Sequence, residues 1–478
     1  VTTRPLLAVL LAAGVLSGCT LIPHYTRPAL PVAASYPSGP AYGPHAPAPV
    51  QSAANIGWKD FFADPVMQSL IELALQNNRD LSIAADNVLS AQATFRVRRA
   101  SLFPTIDASA SGDFEHLPAA AAGGFVENIN AYSLSLGAAS YELDVFGRLR
   151  SLAEQARQQY LSQAETRQST EIALIAQIAS SYLSLLADRE ALAVSRKTAD
   201  AQQHSYDLRV LTLNQGSGTA LDVAQAESAL RTAQASLAQY TRQEAQDFDE
   251  IVLLAGTSLP PALQARMTAE RDLNAQPAFP DLPEGLPADL LLQRPDIRAA
   301  EHTLRASNAN IGAARAAFFP SVVLTGSGGT TSGTVGSLFG AGTGSWLFQP
   351  QISVPIFDAG ANFANLDIAK LQKRVDIATY EKTIQSAFHD VSNALAARAT
   401  YDSELEAEKK LVDADKRFYE LSKMRFDAGV DSYLSVIVAE NSYFGAQLNL
   451  VTLRLAQRAN LVSLYEALGG GWTTYGKK

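Results

Sequence analysis

Cysteine is all but absent. Cys19 is the only one in 478 residues, so no disulfide can form within the chain. Charge is also sparse, at 18 % of residues, and no long basic run offsets the net charge of −9, which excludes nucleic acid as a partner. Six scattered histidines and three methionines leave no pattern for a dedicated metal site. No HExxH, Walker A or GxSxG string occurs, so the motifs that would announce a metalloprotease, a P-loop enzyme or a serine hydrolase are missing. The glycine-rich Gly340-Ala341-Gly342-Thr343-Gly344 lies between two strand patterns with no helix start after it, and reads as a loop rather than a phosphate cradle. The chain is expected to be no enzyme and to hold no cofactor.

What is present is alanine, glutamine, serine and leucine, a composition that suits long helices. It is organised as an internal repeat. Asp80 matches Asp296, Ala84 matches Ala300, Ala93 matches Ala309, Arg99-Ala100 matches Arg315-Ala316 and Phe103-Pro104 matches Phe319-Pro320, all at one spacing of 216 positions. Each copy runs from a helical pattern through a proline, which ends the helix, into a strand pattern. A second match, at a spacing of 213, pairs Gly216 with Gly429, Leu221 with Leu434, Glu227 with Glu440 and Gly256 with Gly469.

The strands show period two. Residues 105–114 alternate polar and apolar or small, and Tyr132, Leu134, Leu136 and Ala138 share a face after the loop 117–130. The second copy repeats this in 321–328 and 345–356, with Trp346, Phe348, Ile352, Val354 and Ile356 on one face and a loop over 329–344. Four amphipathic strands of about 10 residues have the length a tilted strand needs to cross a membrane. Four cannot close a barrel and open edges are not tolerated in lipid, so a membrane reading demands oligomerisation; three chains would supply twelve strands. Two hairpins on a soluble sheet is the other reading of the pattern.

Proline-free helical patterns follow each hairpin, to about Leu213 and about Asp427. In the first, Ile172, Ile175, Ala179, Tyr182 and Leu186 form one stripe and Ile178, Leu185 and Leu192 a second, which implies a packing neighbour on each side. After short turns at Asn214 to Gly218 and Ala428 to Ser432, return helices end near Gly256 and Gly469. On the last, Leu434, Ile437, Asn441, Phe444, Leu448, Val451, Leu455, Val462 and Tyr465 take coiled-coil spacing. A return helix and a repeated helix together approach the roughly 100 Å of a long one, so the two should stack end to end beside it.

The expected organisation is a signal segment over 1–18, a lipidated extended tether over 19–57, a helix over 58–79 with Asp64 as its cap and Pro65 in its first turn, a first repeat over 80–256, a proline-spaced linker over 257–295, a second repeat over 296–469 and a tail over 470–478. The hairpins fall at 104–145 and 320–356. The N-terminus has Arg4, the apolar run Leu6 to Leu16 and then Leu16-Ser17-Gly18-Cys19, which resembles a bacterial lipoprotein box. That resemblance implies diacylglycerol and an N-acyl chain such as palmitate on Cys19, and Thr20 after it points to the outer membrane.

Several stretches resemble the TolC-like outer-membrane efflux factors, in the lipoprotein branch that serves RND-type pumps: Cys19 with Pro23 to Pro28, Trp58 to Pro65, Tyr141 to Gly147, Leu291 to Glu301, Phe318 to Ser321 and Pro355 to Gly360. Leu291 to Glu301 is the most specific. The resemblance implies a mainly α protein with a membrane β part: a homotrimer, a twelve-stranded outer-membrane barrel with four strands per chain, and a long periplasmic α-helical barrel. It implies a passive exit duct, fed by an inner-membrane RND pump through a periplasmic adaptor (membrane fusion protein). It places adaptor contact at the tips, Asn214, Gly216, Ser217, Gly218, Gly429 and Val430, and the periplasmic aperture at Asp427 and Asp431 with Arg425 the nearest cation. An Asp before a helix is equally a helix cap. The family's Arg-aromatic-x-x-Gly turn is present as Arg425 to Gly429, but the first turn reads Thr212-Leu213-Asn214-Gln215-Gly216. Alternatives are the outer-membrane channel of type I protein secretion and a structural trimeric coiled-coil envelope lipoprotein.

Overall fold

A computed structural model describes residues 20–42, 55–118, 127–269, 273, 276–280, 282, 294–471 and 473–474. Cys19 and the signal segment 1–18 lie outside the described residues, as do Leu291 to Gln293 and, in the linker before them, residues 270–272, 274–275, 281 and 283–290. The elements in chain order are α1 Trp58–Phe61, α2 Pro65–Asn77, α3 Arg79–Ala100, β1 Asp107–Leu117, β2 Glu127–Leu143, α4 Arg148–Asn214, α5 Ala220–Ala255, α6 Pro261–Thr268, α7 Pro295–Ala316, β3 Ser321–Ser332, β4 Gly344–Ser353, α8 Ala361–Asp427 and α9 Tyr433–Ala467. Both α4 and α8 run 67 residues. The chain divides into two compact units, one of residues 1–29, 87–164 and 299–380, the other of residues 30–86, 165–298 and 381–478.

The first unit holds the sheet, antiparallel in the order β1-β2-β3-β4, so β1 and β4 each pair on one side only among the described residues. The strands run longer than the sequence indicates at the loop ends: Leu117, residues 127–130 and residues 329–332 belong to strands rather than to loops. At the other end β4 stops at Ser353, leaving Val354 and Ile356 outside it. The register aligns Ala108, Leu136, Gly328 and Trp346 in one row across all four strands. Alternation then gives two different faces. One carries Phe114, Tyr132, Leu134, Leu136, Trp346, Phe348 and Ile352. The other is laced with hydroxyls, with Ser109 bonded to Ser135 and Ser111 to Ser133 at 2.8 Å each, and Thr331 to Ser345 at 3.2 Å. A bulge between Ala138 and Tyr141, with Ser140 at φ 57°, inserts one residue in β2. It returns Tyr141 and Leu143 to the apolar face, where unbroken alternation would have turned them to the polar one.

Carboxylates start the helices that leave the sheet. Asp144 accepts from the Leu149 and Arg150 amides at 2.8 and 2.9 Å, and Asp358 accepts from Gly360 and Asn362 at 3.0 and 2.9 Å. Residues 21–27 lie along α7 in the opposite direction. Arg315 donates to the Leu21 carbonyl at 3.4 Å, Asn308 to that of Pro23 at 2.7 Å, and Arg27 forks onto Glu301 at 3.2 and 2.7 Å. A Cβ on Gly312 would come within 2.6 Å of Ile22, so the close approach of this strap requires glycine there. Burial works against ionisation of Glu301, but hydrogen bonds from Arg27 and Arg305 outweigh it and hold the carboxyl below its ordinary range.

The second unit holds the main core. Both stripes predicted on α4 are buried, Ile178, Ala179, Tyr182, Leu185 and Leu186 completely. Asp64 caps α2 as expected, accepting from Val66 at 2.6 Å behind Pro65. Phe61 stacks on Tyr465 with ring centroids 4.0 Å apart and on Phe279 at 5.1 Å. The tail joins the same corner, since Trp58 and Lys59 donate to the carbonyls of Thr473 and Thr474. The linker is less loose than its prolines suggest: it forms α6, and Leu259, Leu263, Met267, Leu273 and Leu282 enter the core. Helix ends meet in both repeats. Asn78, at the start of α3, donates to Leu254 near the end of α5, and Arg294, before α7, donates to Ala467 at the end of α9, each at 2.9 Å. On α9, Ile437, Phe444, Val451, Val462 and Tyr465 are buried, but Leu434 and Asn441 are exposed while Tyr433 and Val436 face inward. A straight helix drifts about 20° per heptad from a 3.5-residue repeat, which moves the seam by a position at this end.

Candidate functional site: helix tips and sheet

The two turns joining the long helices to the return helices share one backbone motif. At the first, Gly216 donates to Leu213 and Ser217 to Thr212, both at 3.0 Å. At the second, Gly429 donates to Phe426 at 2.8 Å and Val430 to Arg425 at 2.9 Å. These are Schellman closures, and they put Gly216 at φ 77° and Gly429 at φ 71°. Asn214 is the last residue of α4 and Asp427 the last of α8.

The side chains around the closures differ. Gly218 packs against Thr212, whose Oγ1 would lie 2.8 Å from an added Cβ. Thr219 then forms a capping box with Asp222, accepting from the Asp222 amide at 3.1 Å while the carboxylate accepts from the Thr219 amide at 3.2 Å. At the second turn the positions of Thr212 and Gly218 are held by Arg425 and Asp431, which make a two-pronged ion pair at 2.5 and 3.1 Å. Asp431 is not the cap: the N-cap residue is Ser432, whose side chain makes no capping bond. The Arg425 hydrogen bond holds the Asp431 carboxyl below its ordinary range. Asp427 pairs instead with Lys423 on its own helix at 2.9 Å.

One participant was not legible as part of a tip. Arg209 on α4 reaches the second turn, where its guanidinium lies 4.7 Å from the Phe426 ring and 4.5 Å from that of Tyr433. Ser205 bonds the Tyr433 hydroxyl. Tyr433, Val436 and Ile437 pack there on Ala226 and Ala229 of α5. Beside the ion pair, Phe418, Leu421, Leu434 and Val438 line an open apolar groove. Among the described residues no group of three or more His, Cys, Asp or Glu could hold a metal ion. The arrangement offers no reacting centre. Among the described residues it offers an amphipathic sheet with two unpaired edges and, on the other unit, two glycine-closed helix tips, the second of them charged.

A sheet of this kind joined to paired long helices defines the class of outer-membrane efflux ducts. The profile of the family "Outer membrane efflux protein" matches residues 70–257 and 286–470. The antibiotic efflux pump outer membrane protein ArpC and the toluene efflux pump outer membrane protein TtgC, both of Pseudomonas putida, are each 46 % identical over 471 residues, covering 98 % of this chain and 96 % of theirs. The crystal structure of the open state of the Neisseria gonorrhoeae MtrE outer membrane channel superposes with a TM-score of 0.85 at 37 % identity, covering 96 % of this chain and all of that one. The chain belongs to the outer membrane efflux protein family, whose members are non-catalytic TolC-like channels working with RND pumps. It is an outer-membrane efflux channel.

Proposed function

We propose that three copies close their sheets into a twelve-stranded barrel continued by a periplasmic helical barrel, which passively conducts compounds delivered by an RND pump through an adaptor. The observation that carries the trimer is the sheet itself. Its apolar face suits lipid, its hydroxyl face suits a water-filled lumen, and its two edges need partners in a bilayer. By analogy with the names of the two relatives, the exported compounds are apolar solvents such as toluene and antibiotics. The adaptor meets the tips at Asn214, Gly216, Ser217, Gly218, Gly429 and Val430, and Asp427 and Asp431 line the periplasmic aperture. Diacylglycerol and an N-acyl chain modify Cys19; the course of residues 21–27 toward the strand end of α7 supports an anchor at the membrane.

Co-expression with pump and adaptor in an efflux-deficient Gram-negative host should raise tolerance to toluene and to antibiotics, and mild-detergent extracts should give a species of about three chain masses. A monomer with full strand content would sink the barrel. Trimers in the outer membrane that confer no tolerance would sink the duct reading for those compounds.

A further inference from the structure

Each repeat ends its first helix with the same two side chains, an arginine and, four residues later, the phenylalanine that enters the strand: Arg99 with Phe103, Arg315 with Phe319. Arg98, Arg99 and Arg315 are exposed. Among the described residues Arg98 and Arg99 have no carboxylate partner, and Arg315 makes only its long bond to the Leu21 carbonyl. Two carboxylates of the same junction are already taken, Glu142 by Arg148 and Asp144 by Arg150. Tyr141 of β2 donates to Leu102, so the end of α3 lies at the foot of the sheet.

Apolar groups crowd the same level. Phe103, Ile106, Ile356 and Phe357 are exposed, Phe357 to 90 %. Each arginine lies in the last turn of its helix, α3 ending at Ala100 and α7 at Ala316, and the phenylalanine follows in the turn beyond it; with the sheet in the bilayer, each guanidinium sits about one turn outside the hydrocarbon boundary. That is the depth of lipid phosphates, and an arginine fork matches a phosphate better than any other side chain does. We infer that Arg99 and Arg315, assisted by Arg98, form a basic collar that binds the phosphate groups of anionic phospholipids in the periplasmic leaflet. The repeat supplies two such positions per chain, and neither needs the chain's own carboxylates.

The inference rests on the sheet being the part embedded in the bilayer, and the test separates the two. Full-length protein purified in mild detergent is given dioleoyl-phosphatidylglycerol or dioleoyl-phosphatidylethanolamine, and retained lipids are counted by native mass spectrometry on the intact assembly. Wild type should retain phosphatidylglycerol in preference. R99Q and R315Q should each weaken retention about fivefold, the effect of one basic residue at an anionic surface. R99K/R315K, which keeps charge and fold, should retain most of it, and R374Q, an exposed arginine away from the junction, all of it. Retention of phosphatidylglycerol by R99Q/R315Q at the wild-type level, equal retention of the two lipids by wild type, or displacement by millimolar inorganic phosphate would overturn the collar. Quenching by brominated acyl chains that disappears in W346F reports the embedded sheet independently. With that quenching present and no lipid preference, the collar alone falls; with it absent, the membrane reading falls first.

Discussion

The two helix tips have the same backbone and different chemistry. Both close through a left-handed glycine, Gly216 or Gly429, with matching hydrogen bonds. Beyond that closure the first is held by local sequence alone, through the Thr219–Asp222 capping box. The second lacks a side-chain cap and is held by the Arg425–Asp431 pair across the turn and, from another helix, by the Arg209 guanidinium against Phe426 and Tyr433. At the spacing of 213, Leu213 and Ala220 stand where the second tip has Phe426 and Tyr433, so the first tip has no aromatic clamp. The duplicated fold needs the turn twice; the charged, aromatic version is made once. A function confined to one tip would leave this trace.

The comparison breaks most visibly at Tyr433. It is buried on Ala226, Ala229 and Arg209, and removal of a buried aromatic side chain costs about 3 kcal/mol. Tyr433→Ala should speed amide exchange through residues 426–437 while leaving residues 213–224 at wild-type rates. Equal acceleration at both tips would mean that they unfold as one unit and that the clamp is not local to the second.

Next come the glycines, where the tips should behave alike. Valine at φ 77° or 71° is strained by about 1–2 kcal/mol. Gly216→Val and Gly429→Val should therefore lower stability equally in denaturant titrations, and asparagine at either place should recover most of the loss. A clear inequality would show that the shared backbone motif is not what sets the cost.

The caps should divide the tips again. Thr219→Ala loses a capping box and should cost about 1 kcal/mol. Ser432→Ala, which removes no capping bond, should cost almost nothing. A reversed order in urea titration would overturn the assignment of which tip relies on its cap.

Much of this was legible in the sequence for a physical reason: glycine, proline and capping residues act within one turn of themselves. The offset of 213 located both tips, and Asp64-Pro65 located a helix start. What was illegible depended on partners distant in sequence. Arg209 reads as an ordinary helix-surface charge until Phe426 and Tyr433 are brought over it. The strand ends at 127–130 and 329–332 have poor strand formers, Asn and Gly among them, and are extended by pairing with a neighbour rather than by propensity. The bulge at Ser140 is invisible to a period-two count, which continues past Ala138 onto the wrong face. On α9 the heptad count was right in its middle and slipped at its start, because a straight helix does not keep a 3.5-residue seam.

The smallest structural effect, and the sharpest functional one, is expected at Asp431. Its carboxyl is held below the ordinary range by the Arg425 hydrogen bond, so its folded form is the more acidic. The stabilisation is therefore complete above the ordinary carboxylate range and is lost as pH falls through the depressed value. Acidification through that depressed range should loosen the second tip, and Arg425→Gln should abolish this response in amide exchange measured across residues 425–433 at acidic pH. Selectivity follows from the same pair. Three copies around one axis would form an acidic ring, which favours cations over anions, with each arginine tempering the repulsion that tight closure would bring. Because Ser432 rather than Asp431 occupies the cap position, Asp431→Asn and Asp431→Ala should lower the cation-to-anion permeability ratio in planar bilayers by the same amount, and neither should change thermal stability much. Arg425→Gln should raise that ratio, since it exposes the carboxylates. If Asp431→Ala lowers stability while ion selectivity stays at the wild-type value in all three variants, the pair is a clasp for the turn and the aperture must be sought elsewhere.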